Sequence, residues 1–350
     1  MAEKMMAVWK KERAPGASVA DADVPKIKPD EVLVKVKATS ICGTDAHIYA
    51  WDEWSQGRIK PPMIFGHECG GEVVEVGSLV KGVKVGDHVS AETHIPCGIC
   101  FQCRTGNQHI CKDLKILGVD TNGAFAEYIA IPSSVLWIND KSLPWEIATI
   151  QEPFGNATYT VMESQVGGKI IAIIGDGPIA AFTNGVAKAV GACKIYAIGK
   201  YDVRLNIIKK MGADVLIKVT DTDPVKFIMD DTNGVGVDVI LDMVGNQQAI
   251  DWGFKLVKKA GTYTAFGIPP SIPKLDLAAG VVFKGSKIIG INGRKMWETW
   301  YQVANLLNNK MVDPTPVITH KFPLKDFIKA METMKAADRL ASKVVLLPEA

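Results

Sequence analysis

Cys97, Cys100, Cys103 and Cys111 fall within fifteen residues at the spacing C-x2-C-x2-C-x7-C. Four thiolates that close together can complete a tetrahedral zinc site inside one surface loop, with no ligand position left open for chemistry. An iron–sulfur cluster also begins C-x2-C-x2-C, but there the fourth cysteine follows after three residues and precedes a proline. Here the gap is seven and Lys112 follows. Four unrelated buried cysteines are the remaining alternative, and they would have to cluster by chance out of only seven in the chain. The spacing predicts a structural zinc lobe, and any reactive metal must then lie elsewhere.

A second donor set stands upstream. Ser40-Ile41-Cys42-Gly43-Thr44-Asp45-Ala46-His47 is followed by Phe65-Gly66-His67-Glu68. Cysteine, histidine and carboxylate are the ligand types of zinc, and a catalytic zinc takes three protein ligands and keeps one open position. A lone cysteine or histidine is more often a core residue, but the whole set ahead of a four-cysteine lobe carries weight.

With these motifs the chain resembles the zinc-dependent medium-chain alcohol dehydrogenases over essentially all 350 residues. Within that family it is most similar to the branch acting on L-threonine. The closer likeness lies in Trp51-Asp52-Glu53-Trp54-Ser55-Gln56 with Arg58-Ile59, Glu92-Thr93-His94, Gln151-Glu152-Pro153, and Gly293-Arg294-Lys295-Met296-Trp297-Glu298-Thr299-Trp300-Tyr301. The resemblance implies an α/β chain with a GroES-like β-barrel catalytic domain over 1–156 and 297–350. A Rossmann domain with a doubly wound parallel sheet would occupy 157–296.

The periodicity agrees with two domains, as does the length. Glu31 to Lys37 alternates as a period-2 strand, as does Gly71 to Gly77, and Asp87–Ser90 and Phe125–Ile131 add strands. Near Gly167 the rhythm changes. Apolar strands at Lys169–Ile174, Ile195–Ile198, Asp214–Ile217, Val237–Leu241, Thr262–Ala265 and Ile288–Ile291 alternate with helical stretches such as Arg204–Met211. That alternation predicts a parallel sheet with helices on both faces.

Gly175-Asp176-Gly177-Pro178-Ile179-Ala180 follows the first of these strands and opens a helix. A G-x-G-x-x-G/A loop there frees backbone N–H groups to hold a pyrophosphate, and alanine is tolerated at its third position. Two features depart from the family. Asp176 stands where a small neutral residue is usual, so its carboxylate would lie near the cofactor's phosphates unless it turns to solvent or to a helix N–H. Gly199 stands at the end of the second strand, where an acid normally accepts from the adenosine ribose hydroxyls and where near relatives carry Glu. With Lys200 and Arg204 beside it, the position predicts that the usual preference for NAD is relaxed, or inverted toward NADP, unless Asp202 serves the ribose. The resemblance adds Phe266, Gly267, Ile268, Ile291 and Asn292 to the cofactor residues.

The resemblance further implies two zincs per subunit. Cys42, His67 and Glu68 would hold the catalytic one, with Glu152 an alternating or water-bridged ligand. Thr44 would take the substrate's proton and His47 pass it to water. The expected reaction oxidises the C3 hydroxyl of L-threonine, or of a related alcohol, with hydride transfer to NAD or NADP. Arg294 and Glu298, with Trp51 and Trp54, are candidates by chemistry for a zwitterionic substrate. A polyol or secondary-alcohol dehydrogenase of the same family is the alternative, and a non-catalytic NAD(P)- and zinc-binding protein is a third class.

A net charge of +2 gives no basic excess for nucleic acid, and 47% hydrophobic with 22% charged residues is ordinary globular composition. An odd number of cysteines suits a reducing compartment rather than a secreted disulfide framework. The start lacks a signal peptide's apolar core, and no apolar run nears the ~20 residues that span a bilayer. A cytoplasmic homotetramer without membrane or nucleic-acid partners is the expectation.

Overall fold

A computed structural model describes residues 3–349. Its contacts divide the chain into two units, one of Met1–Pro153 with Ile318–Ala350 and one of Phe154–Val317. The helix Glu298–Asn308 was expected to lie with the first domain. It groups with the second because the segment after it packs back there: Val312 and the short turn Thr315–Val317 lie against the helices Pro178–Ala189 and Asp202–Lys210.

The main sheet of the first unit is built on the strand Glu31–Ile41, buried on almost every residue. It pairs antiparallel with Glu68–Val76 on one side and with Lys343–Leu347 on the other, and also with Tyr128–Pro132. The strand runs past Lys37, where the alternation in sequence fades, because neighbours on both sides continue to pair with it. Ser40 lies opposite Glu68, and Ile41 opposite Val344. This register brings Cys42, Glu68 and Lys343 to one end of the sheet. Below that end Phe65, Phe125 and Phe327 form a buried ring cluster with centroids 5.1–5.6 Å apart, which fixes the chain just ahead of His67.

The second unit holds a six-stranded sheet, all parallel, in the order Val215–Lys218, Lys194–Gly199, Ile170–Ile174, Val237–Asp242, Val257–Ala265, Lys287–Gly290. In chain order that is 3-2-1-4-5-6, the doubly wound arrangement in which ligands bind outside the carboxyl ends of the strands. Ile174, Ile198, Ile240 and Tyr263 lie in its buried core, as the continuous apolar runs predicted.

Candidate metal centres and dinucleotide site

The four-cysteine lobe is compact. Its ligand atoms all lie within 4.8 Å of one another. Cys100 Sγ is 3.4 Å from Cys103 Sγ and 3.8 Å from Cys111 Sγ, and no cysteine is in a disulfide. A tetrahedron with zinc–sulfur bonds of about 2.3 Å has edges of roughly 3.8 Å, so the spacing fits that ion. Backbone N–H groups of Cys103 and Lys112 bring the Cys100 thiol down to about 6, which makes it a thiolate, the ligating form, at neutral pH. Cys103 is pushed up to about 12 by burial and by its thiol neighbours, so without metal the cluster retains a proton.

Cys42, His67 and Glu68 form the second group, again with ligand atoms within 4.8 Å. Cys42 is the N-cap of the helix Gly43–Ala50, and its backbone N–H donates to Asp45 Oδ2 at 2.8 Å. Asp45 is fully buried, and its Oδ1 lies 3.5 Å from His67 Nδ1. That contact leaves His67 Nε2 as the nitrogen for a metal, the carboxylate–histidine–metal order common at zinc. Burial alone would lower the His67 imidazole, but Asp45 and Cys42 carry it well above its ordinary value. The pocket is therefore one of anionic character that favours a cation, and its donor set fits zinc.

Glu68 is buried and bound twice over. Lys343 Nζ sits 2.6 Å from its carboxylate, and the Ser40 hydroxyl donates to it. Burial raises the Glu68 carboxyl above its usual range, against the pull of Lys343, and the nearby Glu152 adds to the rise. Glu152 is itself buried on the helix Trp145–Glu163, but it is not part of the 4.8 Å group.

Thr44 Oγ1 lies 4.0 Å from Cys42 Sγ. His47, on the same helix, is exposed; its Nδ1 pairs with the Asp52 carboxylate and its ring meets the edge of Trp54. Burial works to raise the Asp52 carboxyl, but hydrogen bonds from Ser55 and His47 hold it below its ordinary value.

Three residues around these groups escaped the sequence reading. Asp45 could have been found, because an acid three residues beyond an N-cap signals a capping box. Asp52 was legible only as part of a motif. Lys343 carries no local signal. Arg294, offered as a carboxylate partner for substrate, is fully buried inside the second unit, donates to Asn156 Oδ1 at 3.0 Å and packs against Gly155. Glu298 pairs with Lys295 at 2.8 Å, Trp51 lies under the Lys10 ammonium and Trp54 is exposed. Arg294 and Glu298 belong to the second unit, Trp51 and Trp54 to the first.

The dinucleotide candidates all fall at the carboxyl ends of the parallel strands. Gly175 takes φ +125°, which side chains rarely adopt, and Gly177 caps the helix Pro178–Ala189 with Pro178 at its first turn. Ile179 follows in that turn. Phe266 and Gly267 donate to the Asp242 carbonyl at 3.0 and 2.9 Å, and Ile268 beyond them is exposed. Ile291 is buried and Asn292 exposed at the last strand end.

Of the positions considered for it in the sequence, Asp176 takes the last: its carboxylate turns to a helix N-terminus and accepts from the backbone N–H of Lys200 and of Tyr201, the N-cap of the helix Asp202–Lys210, at 2.7 and 3.0 Å. Arg204 Nη1 lies 3.7 Å from its other oxygen. Arg204, expected to attract a 2′-phosphate, thus already faces a carboxylate, and Lys200 lies over the Tyr201 ring. Asp202 is held by Lys218 at 2.8 Å and is exposed.

Two family descriptions match the chain: "Alcohol dehydrogenase GroES-like domain" over residues 28–140 and "Zinc-binding dehydrogenase" over 178–309. The L-threonine 3-dehydrogenase of Caldanaerobacter subterraneus subsp. tengcongensis is 51% identical, covering 98% of this chain and 99% of that protein. That of Pyrococcus abyssi is 47% identical over 99% of each. Among solved structures, a zinc-binding dehydrogenase from Sinorhizobium meliloti bound to NADP superposes with a TM-score of 0.91 at 26% identity, covering 99% of this chain and 100% of that one. The 2R,3R-butanediol dehydrogenase of Bacillus subtilis gives 0.89 at 26%, covering 98% and 99%. With one closed and one open donor set, a doubly wound sheet and this likeness over its whole length, the chain belongs to the zinc-binding, GroES-like alcohol dehydrogenase family.

Proposed function

We propose that the protein oxidises the C3 hydroxyl of L-threonine to 2-amino-3-oxobutanoate and transfers the hydride to a nicotinamide dinucleotide. The observation that carries it is the Cys42, His67 and Glu68 set beside Thr44, in a chain half identical over its full length to L-threonine 3-dehydrogenases. Cys42, His67 and Glu68 would hold the catalytic zinc, with Glu152, whose charge is felt at Glu68, an alternating or water-bridged ligand. When bound, zinc supplies Lewis-acid stabilisation of the negative charge that develops on the substrate oxygen.

The chain's own groups do the rest. Asp45 orients the His67 ring, and Lys343 offsets the charge of Glu68, so the set is held before substrate arrives. Thr44 takes the hydroxyl proton, and His47, oriented by Asp52 and open to water, hands it on. Cys97, Cys100, Cys103 and Cys111 would hold a second zinc, whose contribution would be to folding. At the strand ends of the second unit, the N-terminus of the helix Pro178–Ala189 would receive the pyrophosphate. A homotetrameric assembly and a cytoplasmic location belong to the same proposal. No described helix is long and apolar enough to cross a membrane.

Initial rates with L-threonine, 2,3-butanediol and a hexitol, each with NAD and NADP, test it. L-threonine should give the highest kcat/KM by at least an order of magnitude. A preference for the diol or hexitol would assign the enzyme to the polyol branch. Purified protein that turns over none of them would place it in the non-catalytic class.

A further inference from the structure

The geometry points to Asp176 as the residue that reads the adenosine ribose and excludes a 2′-phosphate, a task performed in the family by an acid at position 199. The inference rests on the dinucleotide reading of the second unit.

The end of the strand Lys194–Gly199 is where a bound dinucleotide places its ribose hydroxyls in a doubly wound sheet. In this chain a carboxylate does stand there, although it is attached to the glycine loop. Asp176 Oδ2 accepts from the backbone N–H groups of Lys200 and Tyr201, the two residues directly after that strand. A carboxylate offers about four acceptor sites on two oxygens, so with Oδ2 occupied, Oδ1 can still accept from a ribose hydroxyl. Arg204 at 3.7 Å from Oδ1 holds the group in place without closing it off.

Gly199 completes the arrangement. A Cβ built on it would lie 2.8 Å from Asp176 Cβ, 2.8 Å from Leu205 Cδ2 and 3.2 Å from Asp176 Oδ2. No side chain fits at 199 while Asp176 lies where it does. The unusual acid in the loop and the missing acid at the strand end are therefore one exchange: the carboxylate enters from the neighbouring strand, and the glycine makes room for it.

The same seat explains the selectivity. Two backbone N–H groups and a guanidinium are the donors a 2′-phosphate would need. Asp176 fills that seat with a fixed negative charge, so an incoming phosphate meets repulsion where it would otherwise find hydrogen bonds. The chain should bind NADH in preference to NADPH, despite Gly199.

Dissociation constants for NADH and NADPH, measured by titration calorimetry on zinc-loaded protein without substrate, test this. Wild type should bind NADH at least ~10-fold tighter than NADPH. Asp176→Ser should weaken NADH by roughly 10- to 100-fold, the loss of a charge-assisted hydrogen bond, and should strengthen NADPH. Gly199→Glu alone should weaken both, since its side chain collides with Asp176. Asp176→Gly combined with Gly199→Glu should regain most of the NADH affinity, because it rebuilds the usual arrangement. Unfolding temperatures near wild type for the variants keep the comparison one of binding.

If Asp176→Ser leaves both constants unchanged, or if Gly199→Glu alone tightens NADH, Asp176 does not read the ribose. If wild type binds neither dinucleotide, it is the dinucleotide reading itself that fails, and the two failures are separate.

Discussion

The two metal-binding groups of the first unit are built in opposite ways. The four-cysteine lobe draws all its ligands from fifteen consecutive residues, around a helix of one turn, Phe101–Arg104, and its flanking Ile99 and Phe101 are exposed. The Cys42, His67 and Glu68 group is assembled by sheet register from distant segments and backed by a buried cation. A contiguous set depends little on the rest of the fold, while the rest of the lobe depends on its metal. For the assembled set the dependence is reversed: the sheet stands without the metal, and the metal requires the sheet.

The largest expected effect sets the two groups apart. His67→Ala should abolish turnover and reduce zinc from about two to one per chain, with the unfolding temperature close to wild type. Cys97→Ser should lower the unfolding temperature by several degrees, because an incomplete structural site gives up folding energy. A chelator should likewise remove activity before it unfolds the protein. Elemental analysis with calorimetry checks all of this. Iron in place of zinc, or one zinc in fully active enzyme, would break the comparison at its root.

A smaller effect tests the path leading out of the open group. His47→Ala should reduce kcat by ~10²–10⁴ and flatten its pH dependence while leaving NADH binding nearly unchanged. An unaltered pH profile removes His47 from the proton path.

The smallest concerns support rather than ligation. Asp45→Asn keeps the shape and removes the charge behind His67, so zinc affinity at the open group should fall roughly 10- to 100-fold. Affinity at the four-cysteine lobe should not change. Competition with a chromogenic chelator measures both sites in one titration. A loss at both would mean that Asp45 stabilises the whole unit rather than His67.

What could be read in advance follows the same division. The lobe was legible because cysteine spacing states its ligands outright. The alternation of apolar strands and helices disclosed the parallel sheet, since buried parallel strands carry their signal in continuous runs. Cys42, His67 and Glu68 were legible through their ligand chemistry and the family likeness. Lys343 was not, because only the pairing of Val344 with Ile41 brings it to Glu68. The grouping of the helix Glu298–Asn308 with the second unit was not legible, because its sequence records an apolar face but not which core that face meets. Asp176 and Gly199 looked like two faults because they lie 23 positions apart and meet only across neighbouring strands. Arg294 was offered because a zwitterionic substrate calls for a cation, and its burial could not be read because a charged side chain is rare in a core, yet it is one of the largest side chains buried in this one.

The pairing of Glu68 with Lys343 also has a consequence in time. The two are 275 residues apart, and synthesis proceeds at about 5–20 residues per second, so the carboxylate exists for many seconds before its cation does. Throughout that interval the central strand Glu31–Ile41 lacks the neighbour that closes its far edge. Cys42, His67 and Glu68 are thus among the first parts of the chain to emerge from the ribosome, and the group they form is among the last to be completed. A chain that stalls before its final strand carries the donors of an active centre but not the charge balance or the sheet that would hold them.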